Sequence, residues 1–106
     1  MNQFLYRIQP TRLEMVTQGP TTKEAAIVSQ HFDYLTSLTR QSIVLVFGRT
    51  QNRDANTFGI CIFRADSEAD ARSIVDNDPA VRNGVMRAEL YPYEVAGLNP
   101  AGWLSD

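Results

Sequence analysis

The chain has 106 residues, 43% of them hydrophobic, a net charge of −2 and an isoelectric point near 5.3, which describes one domain with a modest core. Its basic residues never adjoin, so the clustered positive charge that underlies nucleic-acid affinity is missing, and its longest apolar run, Ile43–Phe47, falls far short of the ~20 residues of a membrane span. The first residues lack the basic-then-apolar order of a secretory signal, and the lone Cys61 excludes an internal disulfide and fits a reducing compartment, so cytoplasmic residence is the expectation.

In chain order, Gln3–Ile8 reads as a strand with Phe4, Tyr6 and Ile8 on one face and Leu5 and Arg7 on the other. "QPTRLEMVTQGP" follows as a loop punctuated by Pro10, Gly19 and Pro20. Thr21 and Glu24 have capping-box spacing, and the helix they open runs to about Arg40. Its apolar stripe is Ile27, His31, Leu35 and Leu38, widened by Val28 and Phe32. The chain's single histidine therefore lies on a packing face.

"SIVLVFGRT" is a strand ending at Gly48, "NRDAN" a polar connection, and "TFGICIFRA" the hairpin partner. Ser67 and Asp70 open a second helix that ends near Asn77, and Asp78-Pro79 caps a short turn closed by Gly84. "VMRAELYPYEV" is the last strand, and Pro92 sends it to a sheet edge because proline has no amide donor. The order β-α-β-β-α-β predicts an α+β, ferredoxin-like domain with a four-stranded antiparallel sheet. The domain is expected over residues 1–96, followed by a tail, 97–106, whose Trp103 is expected to pack on some surface.

The strands also imply a partner. An antiparallel sheet with one wet face should alternate apolar and polar residues. Here Ile43, Leu45 and Phe47 face one way with Val44 and Val46 opposite, while Ile60 and Ile62 oppose Cys61 and Phe63. Two helices cover only one side of four strands. A second copy packed sheet to sheet is the economical cover, burying roughly 1,200–2,000 Å² in total. Such a homodimer would enclose a hollow in which the imidazole could work.

Taken together, "HFDYLTSL", "VFGRT", "FGICIFRADSEADARSIVDNDPAVRNGV" and "AELYPYEV" resemble the YciI-like (YCII-related) family over about residues 3–96. The diagnostic feature is the combination: a histidine in the first helix, a glycine ending the second strand, "DSEADA" opening the second helix, then "NDPAVRNGV". The resemblance implies a dimeric α+β barrel and a His–Asp pair in a cleft, carried here by His31 and Asp78. It also implies elimination chemistry on small hydroxylated aromatic compounds, with neither a metal nor an organic cofactor. Some members carry an arginine three residues before the histidine, where this chain has Val28. Arg12 is then the nearest candidate for anchoring a substrate anion.

Each of these residues also has a plain structural reading. His31 could be a core histidine bonded to its neighbours, although an imidazole titrating near pH 6.5 suits proton transfer. Asp78 is fully accounted for as the cap of its turn, yet a carboxylate has acceptor sites to spare and a capped one is rigid enough to orient an imidazole. Arg12 and Arg49 read equally as solvated arginines, and Tyr34, three residues beyond His31, borders the same face as a packing residue or a donor to a ligand. Thr57 is a weaker candidate. Cys61 in an apolar strand is expected to be inert, and Ser29 points away from His31 along the helix. One histidine and one cysteine cannot build a zinc site, haem on the helical histidine is a minor alternative, and no glycine-rich phosphate loop is present.

Two functions compete. In one, the protein is a cofactor-independent lyase or isomerase acting on a small polar or aromatic molecule, with His31 as acid/base, Asp78 as its orienter, and Arg12, Tyr34 and Arg49 binding substrate. In the other, it is a non-catalytic dimeric module for a small ligand or a partner protein.

Overall fold

The computed structural model describes residues 2–103. Strand β1 (Asn2–Pro10) is followed by a one-turn helix α1 (Glu14–Thr17), helix α2 (Thr22–Arg40), the strands β2 (Val44–Arg49) and β3 (Gly59–Ala65), helix α3 (Glu68–Asp76), a short helix α4 (Pro79–Arg82) and strand β4 (Met86–Pro92). The sheet order is β2-β3-β1-β4, and each neighbouring pair is antiparallel. This is the ferredoxin-like βαββαβ plan, with Pro92 on an edge strand as expected. Helix α1 falls inside the segment read as loop. Four residues present too little hydrophobic periodicity to be recognised. Strand β1 also runs on through Pro10, which lies beyond Ile8, the last residue paired with β3. The missing amide there breaks no ladder bond on that side.

The helices form where their caps say they should. Thr21 accepts from the Glu24 amide while the Glu24 carboxylate accepts from the Thr21 amide, a complete capping box. Ser67 accepts from the Asp70 amide, and the Asp78 carboxylate accepts from the Ala80 amide ahead of Pro79. Helix α2 is followed, after its C-cap Gln41, by Ser42, whose φ of +62° is left-handed. Its amide donates to the Thr39 carbonyl, and its own carbonyl accepts from the Arg64 guanidinium.

The helix-side core consists of Phe4, Tyr6 and Ile8 from β1, Cys61, Phe63 and Ala65 from β3, Val44 from β2, Leu35 from α2, and Ala71 and Val75 from α3. At β2 the structure departs from the simple alternation. Val44 pairs with Phe63 and Val46 with Ile62, so Leu45 is an extra residue in a bulge. Val44 and Phe47 consequently share the helix side, and Phe47 meets Phe32 edge to face at 5.7 Å. The helix-free face carries the cross-sheet row Val46, Ile62, Leu5, Tyr91 and then Ile60, Arg7, Glu89. It is apolar toward β2 and β3 and charged toward β4, where Arg7 bonds Glu89 at 2.9 Å and stacks over Phe58. Trp103 is 91% exposed in the single chain.

Candidate active site

Tyr6 is the middle residue of the helix-side row Phe47, Cys61, Tyr6, Leu90, and it stands on a central strand paired on both sides. Its ring packs edge to face on Phe63 at 5.7 Å, and its hydroxyl donates to Asp78 Oδ2 at 2.7 Å. Asp78 is fully buried. Its Oδ1 also accepts from the Ala80 amide at 2.9 Å. His31, from the buried stripe of α2, brings Nδ1 to 2.7 Å from Oδ1 and 2.9 Å from Oδ2. Three elements thus converge on one carboxylate: strand β1, helix α2 and the N-terminus of α4.

A carboxylate with no access to water must be matched by donors, and here it has a phenol, an amide and an imidazole. An ionised carboxylate only accepts, so opposite one Nδ1 carries the proton in this bond. All of the imidazole's hydrogen bonds run through Nδ1. Among the described residues no buried side-chain nitrogen or oxygen lacks a partner, so Nε2 is open to solvent through the 11% of the side chain that is exposed. The site is a clamped ring with one free nitrogen.

The surrounding groups hold their protons. Burial first, and then the charge of Asp78, pushes the Tyr6 hydroxyl far above the usual phenol range. The same two causes push Tyr34 and Cys61 up to about 12. Cys61 is therefore the inert thiol the sequence suggested.

The other candidates sit differently. The Arg12 guanidinium forms a two-point ion pair with Glu24, with Nε–Oε2 at 2.9 Å and Nη2–Oε1 at 2.6 Å. That hydrogen bond is the chief reason the Glu24 carboxyl is held down at about 2. Glu24 precedes His31 by seven residues on the same helix face, about 10 Å along the axis. The Tyr34 hydroxyl donates to the Ile74 carbonyl at 2.7 Å, tying α2 to α3. Arg49 is exposed and has no ion pair among the described residues; it follows Phe47 by two and so projects to the helix side of the β2 edge. Thr57 is buried and shares a hydroxyl contact with Thr50.

One expectation is overturned. His31, Asp78 and Tyr6 all lie on the helix-covered side of the sheet, so a hollow between two sheets, on the opposite face, is not where Nε2 opens. Two surface depressions, one lined by Gln9, Asp54 and Arg87 and the other by Ile43, Ile62 and Val95, are likewise not lined by His31. Sequence reasoning missed Tyr6, because a tyrosine in an alternating strand looks like any other core position.

No group of three or more histidine, cysteine, aspartate or glutamate side chains able to hold a metal occurs among the described residues, nor does any helix there suit a membrane span. Comparison with known families matches residues 5–93 to the YCII-related domain. No curated protein matches. Among solved structures, 5-chloro-2-hydroxyhydroquinone dehydrochlorinase (TftG) from Burkholderia phenoliruptrix AC1100, in complex with 2,5-dihydroxybenzoquinone, is similar at TM-score 0.65 and 21% identity, covering 87% of this chain and 93% of that one. At that identity the likeness is one of fold. A de novo designed ferredoxin-fold protein covers 99% of this chain and 96% of its own at 15% identity and TM-score 0.39.

Proposed function

The chain belongs to the YCII-related domain family, and from that premise we propose that it is a cofactor-independent enzyme of lyase or isomerase type in which His31 Nε2 moves a proton on a small polar or aromatic molecule. One observation carries this reading: the ring is clamped at Nδ1 by a carboxylate sealed from water, while Nε2 is left open. A fully buried histidine serving only the core would have both nitrogens satisfied inside.

In the proposed cycle Asp78 stays ionised and keeps the Nδ1–H tautomer, so Nε2 presents its lone pair outward. Nε2 takes a proton from a substrate carbon or hydroxyl, and the freed electron pair expels a leaving group or shifts a double bond. The imidazolium then returns the proton to the product or to water. A positioned acid/base of this kind supplies typically 10²–10⁴-fold. Arg12 is already neutralised by Glu24, so a substrate anion would have to share it. Arg49 is the freer cation, and Tyr34 braces the helix rather than offering its proton.

The dehydrochlorinase suggests the substrate class to try. Wild-type protein should bind 2,5-dihydroxybenzoquinone and release chloride from a chlorinated hydroxyhydroquinone, with visible absorbance and a chloride electrode as readouts. His31→Ala should lose at least about 100-fold of that turnover with an unchanged circular dichroism spectrum. Equal turnover in His31→Ala with any substrate that is found would reject the assignment.

We also propose a homodimer through the helix-free sheet face. Its support is the row Val46, Ile62, Leu5 and Tyr91, in which Val46 is 50% and Tyr91 45% exposed in the single chain.

A further inference from the structure

We infer that Tyr6 is a positioning residue for His31: its hydroxyl, fixed on the central strand, holds the plane of the Asp78 carboxylate so that Nδ1 is met by both oxygens and Nε2 is aimed outward. The inference rests on the acid/base reading of His31 and adds a third member to the pair.

The argument begins with cost. Tyr6 has no solvent exposure and is among the largest fully buried side chains. A phenylalanine would fill the same slot against Phe63, and a buried hydroxyl without a partner is unfavourable. Its partner is Asp78 Oδ2, at 2.7 Å. The cap of α4 needs only Oδ1, which accepts from the Ala80 amide. Helix capping therefore accounts for one oxygen and gives the other no partner. Tyr6 supplies that partner by reaching across 72 residues of sequence from a central strand of the sheet. With both oxygens anchored, the carboxylate plane is set, and Nδ1 lies 2.7 and 2.9 Å from the two oxygens. The titratable groups that interact with Asp78 are His31 on α2, Tyr6 on β1, Cys61 on β3 and Tyr34 on α2. Tyr34 and Cys61 keep their protons to about 12, so Asp78 is the group whose hydrogen bonds reach the ring.

The test is the NMR titration of the single histidine in the full-length protein. The Tyr6 hydroxyl spreads the charge of the carboxylate and competes with the imidazole for it. Its removal in Tyr6→Phe leaves Asp78 a stronger acceptor for Nδ1–H, so the His31 midpoint should rise by about half a pH unit. Replacing Tyr6 by 3-fluorotyrosine, a stronger donor that keeps the ring, should move the midpoint down and covers the case in which Tyr6→Phe fails to fold. Phe63→Leu, which loosens the ring contact without touching the hydroxyl, should leave the midpoint in place. An unmoved or inverted response in the two Tyr6 variants, while Asp78→Asn does shift the midpoint, would overturn the role of Tyr6 and keep the pair. A midpoint indifferent to Asp78→Asn would instead sink the His31–Asp78 reading itself.

Discussion

Asp78 shows how one buried side chain can serve folding and the proposed chemistry together. It caps α4 through Oδ1, accepts from Tyr6 through Oδ2 and holds His31 between them. Asp78→Asn would turn an amide NH₂ toward a donor that needs an acceptor, so the variant should lose about 1–3 kcal/mol of stability in urea unfolding; an unchanged midpoint would mean that the carboxylate is dispensable to the fold. Cys61 provides an independent check on the same interior. Burial lifts its thiol to about 12, so at pH 8 the native protein should resist a thiol reagent for hours and react fully only once unfolded in guanidinium. At this scale His31 and Asp78 were legible, one as the only imidazole on an apolar stripe and the other as the residue before a helix-opening proline. Tyr6 was not, because its partner is 72 residues away and nothing in a strand pattern distinguishes a tyrosine that packs from one that also donates.

Among the elements, the ends of α2 make the clearest predictions. Ser42 adopts a φ of +62° where glycine would be unstrained. Ser42→Gly should therefore stabilise the fold by up to about 1 kcal/mol, measured as a shift in urea midpoint at constant slope. At the other end, Glu24 has a folded carboxyl pKa of about 2, held there first by Arg12. A lowered folded value contributes stability that is present above the unfolded value of about 4.3 and is lost as pH falls through that range toward 2. Thermal melts between pH 6 and pH 2 should show a steeper decline in wild type than in Arg12→Ala, and parallel curves would remove the ion pair from the account. The caps that start these helices were readable because each is a local pattern of three or four residues. The bulge at Leu45 was not, since it arises from the two-to-one pairing of β2 against Phe63 and Ile62. It moves Val44 and Phe47 onto the same side, which strict alternation had separated. Helix α1 escaped for the opposite reason, being a single turn with no buried residue.

For the whole molecule, the order of elements in sequence already prescribed the sheet, and a proline in the last strand placed it at the edge. The two faces divide the work. The helix side holds the core and the His31 site, while the helix-free side presents an apolar band beside the charged Arg7–Glu89 pair. The proposed dimerisation and the proposed proton transfer are therefore separable. Val46→Glu, at a half-exposed position, should convert a wild-type species of twice 11.9 kDa into a monomer by light scattering, with the His31 signals unchanged. A wild-type monomer at micromolar concentration would contradict the dimer and leave the site intact. For the site the most direct measurement is the long-range ¹H–¹⁵N spectrum of the one histidine, which reports where the neutral ring keeps its proton. The account requires the proton on Nδ1, facing Asp78, with Nε2 bare; a ring protonated on Nε2 with Nδ1 bare would contradict it.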